Sequence, residues 1–325
     1  MRLDRLRAMV TTISVDGTSP IADAAAARWG LPRGCARHVR TGASSVFAAD
    51  GGYLRLVSAA DRPVRAGQAV ADVMTALKHF GAPVIAPRPS LGGRLVEPID
   101  TELPCVGLVH ATLVEAAPGR LVDLDEVTVV QAEQWGSAMA ELHHAGRSMS
   151  GVALPTWFDI VQQALTWVPC DTELGDVAGR LLERCVAAFG QPRTLVHGDP
   201  QADNASWAST GPVFFDLDDA SVAWGAVDLA MAVRDLHPID AFDRPICSTP
   251  IGTAVLRGYR AIVDFDDDQE QSMPLVQRLS SIVTYGRLKA VLATPEGEQQ
   301  PDWLCDIRGR LQNLAQRLRR ALTAA

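Results

Sequence analysis

The spacing of apolar residues changes character once along this chain, near Pro118-Gly119, and that change limits the fold more than any other feature. Before it the pattern is one of strands and turns. A strand near His38 leads into the small-residue loop Thr41 to Ser45, then into Val46-Phe47-Ala48. Asp50-Gly51-Gly52 is a turn signal, and Tyr53 to Val57 reads as the next strand. From Gly67 to Phe80 the spacing becomes helical, with Val70, Val73, Met74 and Leu77 on one face and Gly81 as the stop. A second hairpin follows, Arg94 to Ile99 and Val106 to Val114. Beyond Pro118-Gly119 the chain turns helical. Val127, Val130, Gln134, Ala138 and Leu142 mark one stripe, and further helices are expected over 156–167 and 173–189. Only Thr194 to Val196 and Val213 to Phe215 read as strands there, and an extended acidic connection is expected at Asp264 to Asp268. The expected class is therefore α+β. A helical extension (1–36) precedes an antiparallel-sheet unit with one helix (37–118) and a larger, mainly helical unit (119–325).

Charge narrows the function. The net charge of −8 argues against nucleic acid as a partner, because binding to a phosphate backbone needs a positive surface. Six scattered cysteines without a CxxC pair read as free thiols of a reducing cytoplasm. The early acid in Met1 to Arg7 does not suit a signal peptide, and no apolar run is long enough to span a bilayer. A cytoplasmic protein with no membrane partner is expected.

The chemistry concentrates in Val196-His197-Gly198-Asp199-Pro200-Gln201-Ala202-Asp203-Asn204, followed by Phe214-Phe215-Asp216-Leu217-Asp218-Asp219. Phosphoryl transfer needs a carboxylate to meet the incoming hydroxyl and hard oxygen ligands to hold Mg²⁺ against nucleotide phosphates. An Asp and an Asn five residues apart on one loop, with an Asp ending the adjacent strand, supply all three. Apolar residues before each acid anchor both strands.

His-Gly-Asp-x-x-x-x-Asn followed by Phe-Asp-Leu-Asp-Asp resembles the aminoglycoside phosphotransferase and choline-kinase-like group within the protein-kinase-like fold. The resemblance covers about residues 37 to 290. It implies two lobes, ATP and Mg²⁺ as cofactors, and a small-molecule hydroxyl as acceptor, antibiotics among the possible acceptors. Carried over by position, Asp199 matches the catalytic base, Asn204 and Asp216 match magnesium ligands, and Asp218 is the second acid of the family's Asp-x-Asp. His197 and Gly198 resemble loop-shaping residues. Asp228 resembles an acid that braces the catalytic loop, although an ordinary acid in a helix's first turn fits as well. Pro200 departs from the family pattern and should stiffen the loop without removing a ligand.

The N-terminal correspondence is positional. Arg55 stands where the family places a phosphate-binding lysine, with Leu54 and Leu56 toward the opposite, core side. Asp72 is its expected partner on the next helix. Arg for Lys and Asp for Glu are departures, yet a longer cation with a shorter acid preserves the span. In place of a GxGxxG loop, Ser44 and Ser45 are the candidate phosphate contacts, with a plain hairpin turn as the alternative. Glu115 and Ala117 occupy the hinge position that would meet adenine.

The acceptor is less legible. Between residues 190 and 270 there are 14 acidic and 5 basic residues. Asp235, Asp240 and Asp243 are candidate contacts for a cationic acceptor such as an amino sugar, aminoglycoside or amino alcohol. A solvated acidic surface is the alternative. A protein Ser/Thr kinase of the same fold and a nucleotide-binding module without turnover also remain open, as does the oligomeric state.

Overall fold

Alternation and turn chemistry build the first unit. The structure, a computed structural model, describes residues 1–149, 151, 153–238, 242, 245–293 and 300–323. By contacts the chain divides into residues 1–76, 85–116 and 291–308 as one unit and 77–84, 117–290 and 309–325 as the other. The first begins with helices α1 (Leu3–Thr11) and α2 (Pro20–Ala26). The strands are β1 (Arg37–Thr41), β2 (Ser45–Ala49) and β3 (Gly52–Ser58), and then helix α3 (Val64–His79) intervenes. After it come β4 (Pro87–Arg88), β5 (Glu97–Asp100) and β6 (Leu108–Glu115). All pairings are antiparallel in the order β1-β2-β3-β6-β4, with β5 sharing the β6 edge with β4.

Asp50 and Gly51 close the β2–β3 hairpin with φ of 47° and 67°. Two positive φ angles define the turn whose twist matches that of paired strands. Period two then sorts the side chains. Leu54 and Leu56, both 0% exposed, join Phe47 and Leu113 against Met9, Ile21, Ala25 and Trp29, so the N-terminal helices cover this face. Arg55 lies on the other face, paired in register with Val46 and Thr112. Two positions on, Val57 pairs with His110, and the His110 ring packs against Gly67 of α3. Arg55 and α3 therefore belong to the same side of the sheet. Val70, Val73, Met74 and Leu77 form the buried stripe of α3, as their spacing predicts.

The second unit contains α4 (Val129–Gly146), α5 (Trp157–Leu165), α6 (Thr172–Phe189), β7 (Thr194–Val196), β8 (Ala205–Ala208), β9 (Gly211–Phe214) and β10 (Ser221–Ala223). Helices α7 (Gly225–Ala232), α8 (Pro250–Arg260), α9 (Asp267–Gln271), α10 (Met273–Leu292) and α11 (Asp302–Thr323) follow. β8 and β9 form a hairpin, and β7 pairs antiparallel with β10. Thr128 and Gln131 cap α4 reciprocally, and Asp171 caps α6 through its bond from Leu174 N at 3.2 Å. Asp171 also receives Arg319 Nη2 of α11 at 2.8 Å, a contact spanning 148 residues.

One expectation needs correction. The acidic run is not an extended connection throughout: Asp266 is the N-cap of α9, bonded from Gln269 N at 2.8 Å, and Asp267 begins the helix. Aspartates favour a helix start because they accept its unpaired N–H groups. Among the described residues no helix is long and apolar enough to cross a membrane.

Candidate active site

The second unit brings Asp199, Asn204 and Asp216 together through short structural links. β7 ends at Val196, and the chain turns at Gly198 with φ of 88°. A Cβ there would lie 2.1 Å from Asp219 O, so this position accepts only glycine. Asp199 follows, and a single 3-10 turn (Ala202–Asn204) delivers Asn204 to the start of β8. Asn204 Nδ2 donates to Asp199 O at 2.9 Å and to Asp199 Oδ2 at 3.2 Å. With its nitrogen so engaged, the amide's oxygen is the atom left for a cation. β9 ends beside this loop, where Phe215 N donates to Asn204 O at 3.0 Å. Asp216 comes next, in the left-handed region at φ of 64°.

His197 connects the two acid-bearing segments. Its Nε2 donates to Phe215 O at 3.0 Å, and its Nδ1 accepts from Asp199 N at 3.3 Å. These bonds require the neutral ring with its proton on Nε2. Asp228, 0% exposed, secures the loop from α7: Oδ2 accepts from His197 N and Oδ1 from Gly198 N, each at 2.8 Å. Asp228 Oδ2 also accepts from His143 Nε2 at 2.8 Å, and Tyr259 OH donates to His143 Nδ1 at 2.8 Å. Burial and the charge of Asp228 push the Tyr259 phenol upward, which keeps it a donor. Trp135 Nε1 satisfies the Pro200 carbonyl at 2.9 Å.

Asp199 is 28% exposed, and its Oδ1 lacks a hydrogen-bond partner among the described residues. Desolvation pushes its carboxyl up to about 6; Arg234 pulls it back and Asp219 adds to the rise. Arg234 Nη1 stands 3.7 Å from Asp199 Oδ1. The guanidinium is fixed elsewhere, by Gln201 Oε1 at 2.6 Å and Asp235 Oδ1 at 3.0 Å, and Gln201 Nε2 closes the ring onto Asp235 Oδ2 at 2.6 Å. Asp235 therefore lies near the site as the partner of Arg234 and Gln201. Asp218 is half-buried in the 3-10 turn after Asp216. Asp240 and Asp243 lie outside the described residues.

In the first unit Arg55 is half-buried. Asp72 is exposed on α3 and accepts from Gln68 Nε2 at 2.8 Å. Ser44 and Ser45 are buried, and the Ser45 hydroxyl accepts from Thr41 Oγ1 at 3.3 Å. Glu115 Oε1 accepts from Ala86 N at 3.1 Å, and Ala117 follows just beyond β6.

Among the described residues there is no cluster of three or more His, Cys, Asp or Glu that could hold a metal on its own. Mg²⁺ is ordinarily held by one or two carboxylates plus substrate phosphates and water rather than by an all-protein cage. The oxygens of Asn204 and Asp216, beside Asp199 with its Oδ1 free of hydrogen bonds among the described residues, fit that requirement.

A model of the phosphotransferase enzyme family matches residues 37–267. The chain belongs to this family. Solved structures similar to it include an amicoumacin kinase in complex with AMP-PNP, Ca²⁺ and Ami, at 18% identity and a TM-score of 0.64 over 87% of this chain and 88% of that one. A microcompartment-associated aminopropanol kinase matches at 19% identity and a TM-score of 0.65 over 93% and 94%. A choline/ethanolamine kinase family protein from Mesorhizobium loti matches at 16% and 0.53 over the whole of both chains. A search of curated proteins finds no match. These likenesses extend the family's fold to both units, including the N-terminal helices that precede the matched segment. Arg234, Gln201, His143 and Tyr259 escaped the sequence reading. Their contacts bridge 33 to 116 residues; Gln201 stands at an unassigned position of the Asp199–Asn204 loop, and no local motif marks the other three.

Proposed function

We propose that this phosphotransferase moves the γ-phosphoryl group of ATP to a hydroxyl of a small molecule in the cytoplasm. The acceptor class is an aminoglycoside, an amino sugar, another antibiotic or an amino alcohol. The observation that carries this reading is the Asp199–Asn204 contact at 3.2 Å, with the Asp216 segment tied to it through His197. In this reading Asp199 receives the acceptor's hydroxyl and takes its proton as the oxygen attacks phosphorus. A carboxyl held near 6 by burial is a better proton acceptor than an ordinary aspartate and is still ionised at neutral pH. Asn204 and Asp216 would hold Mg²⁺, with Asp218 beside them, and the ion supplies charge neutralisation for the phosphates. Arg55 would bind the α- and β-phosphates with Asp72 orienting it. Ser44 and Ser45 would close over the phosphates, and the backbone at Glu115 and Ala117 would meet adenine. Residues 37–118 then form the nucleotide-binding lobe and 119–325 the catalytic and acceptor-binding lobe.

The amicoumacin, aminopropanol and choline/ethanolamine kinases named above, by their descriptions, support a small polar acceptor. The test is ADP release across amino alcohols, amino sugars and antibiotics, with wild type and Asp199→Asn side by side. Turnover should fall about 10²- to 10⁴-fold in the variant while nucleotide affinity holds, because the carboxylate acts on the acceptor rather than on ATP. Near-normal turnover by folded Asp199→Asn would overturn the assignment.

A further inference from the structure

A cavity of about 40 Å³ lies within the second unit, between α7 with the turn after it and α10. Met231, Val233 and Phe242 give it an apolar lining, and Gln277 and Ser280 of α10 line it as well. Two polar atoms of these residues are anomalous. Ser280 is 5% exposed and its Oγ has no hydrogen-bond partner among the described residues, and the same holds for the buried Gln277 Oε1. The neighbouring hydroxyls of α10 behave differently. Ser281 Oγ bonds back to Gln277 O at 2.9 Å and Thr284 Oγ1 to Ser280 O at 3.0 Å, the usual way a helix satisfies a serine or threonine. Folded chains rarely bury partnerless polar atoms, and where they do a ligand or water commonly completes them.

The cavity also adjoins the chemistry. Arg234 lines it, and the same guanidinium stands 3.7 Å from Asp199 Oδ1. Gln201 and Asp235 hold Arg234 in place, so one fixed guanidinium borders both the cavity and the Asp199 carboxylate.

We propose that this cavity is a subsite for a neutral, hydrogen-bonding arm of the acceptor, read by the Ser280 hydroxyl and the Gln277 carboxamide once side-chain rotation turns them to the space their residues line. The proposal deepens the phosphotransferase reading and rests on it. Gln277 Oε1 only accepts, so the arm must offer an O–H or N–H; Ser280 Oγ accepts or donates. Among the described lining residues Arg234 is the one permanent charge and no carboxylate is present, so a cationic arm finds no counterion. One water-sized group needs about 10–15 Å³ of such space, which makes the cavity fit a hydroxymethyl or carboxamide group and not a whole sugar. Any amine of the acceptor then lies outside this subsite.

The experiment uses glycolamide and methylammonium as probes in ligand-observed NMR titrations of the full chain with Mg-ADP present. Glycolamide should bind at least fivefold more tightly than methylammonium. Ser280→Ala combined with Gln277→Leu should weaken glycolamide at least fivefold while leaving Mg-ADP affinity and the thermal midpoint unchanged or improved, since both substitutions remove partnerless atoms. Preference for methylammonium, no binding of either probe, or unchanged glycolamide binding by a folded double variant overturns the subsite. Glycolamide binding that depends on Ser280 and Gln277 in a chain that fails to bind Mg-ADP upholds the subsite and instead overturns the phosphotransferase reading.

Discussion

The loop that carries Asp199 and the sheet that carries Arg55 are held by different means. The loop is fixed by polar bonds from separate elements: Asp228 of α7 takes His197 N and Gly198 N, Trp135 of α4 takes Pro200 O, and His197 takes Phe215 O. The strand is fixed by regular pairing with β2 and β6 and by Leu54 and Leu56 on its buried face. Irregular backbone has no ladder to satisfy its donors and acceptors, so each needs its own partner. A strand holds its side chain by register, and any residue that keeps the alternation will do. The loop should therefore be brittle toward substitution and the strand tolerant, with Arg55, the proposed phosphate ligand, as the exception.

The largest expected effect breaks the brittle half. Asp228→Ala leaves two buried backbone N–H groups and His143 Nε2 without their acceptor, and should cost about 3–5 kcal/mol in urea unfolding. A change below 1 kcal/mol would show that the loop is not held from α7. Next, Asp216→Ala should remove the Mg²⁺ dependence of ATP binding, with a loss of affinity of about 100-fold by calorimetry, and Asp218→Ala should be milder. Equal binding in both variants would dismiss Asp216 as a ligand.

Asp199→Asn sharpens the contrast without any substrate. The folded chain holds the Asp199 proton up to about pH 6, against an ordinary carboxyl value of 3.8, so ionisation at neutral pH opposes folding. The variant should match wild type below about pH 4, gain relative stability between about pH 4 and 6, and stay about 1–3 kcal/mol more stable above that. A difference independent of pH would mean that burial does not strain this carboxylate. The smallest effect tests the tolerant half. Arg55→Ala should weaken ATP about tenfold and adenosine hardly at all, with little change in stability, because only the phosphates lose a charge-assisted partner. Equal weakening of both ligands would make Arg55 a structural residue.

What the sequence revealed follows the same division. That Asp199, Asn204 and the Asp216 segment meet was legible because their geometry is local: five residues of loop and one strand end place them. The β2–β3 turn was legible because Asp50-Gly51 accepts positive φ on both residues. β8 was missed, since Ala205-Ser206-Trp207-Ala208 has neither a clear alternation nor β-branched residues. The start of α9 was misread although Asp266 and Gln269 have the spacing of a capping box, because the acidic run around them reads as solvated chain. Arg234 was invisible in principle: only the folded chain brings it to Asp199.

The Arg319–Asp171 contact has a consequence for how the protein is made. The acid that caps α6 is synthesised near the middle of the chain, and the guanidinium that meets it is made 148 residues later. The first unit likewise draws in residues 291–308. At translation rates of about 5–20 residues per second, the Asp171 carboxylate waits on the order of 10 s for its cation. During that interval α6 has its N-cap but not its long-range ion pair, and the first unit gains residues 291–308 only near its end. Folding on the ribosome would then finish late, with the emergence of α11 acting as its timer.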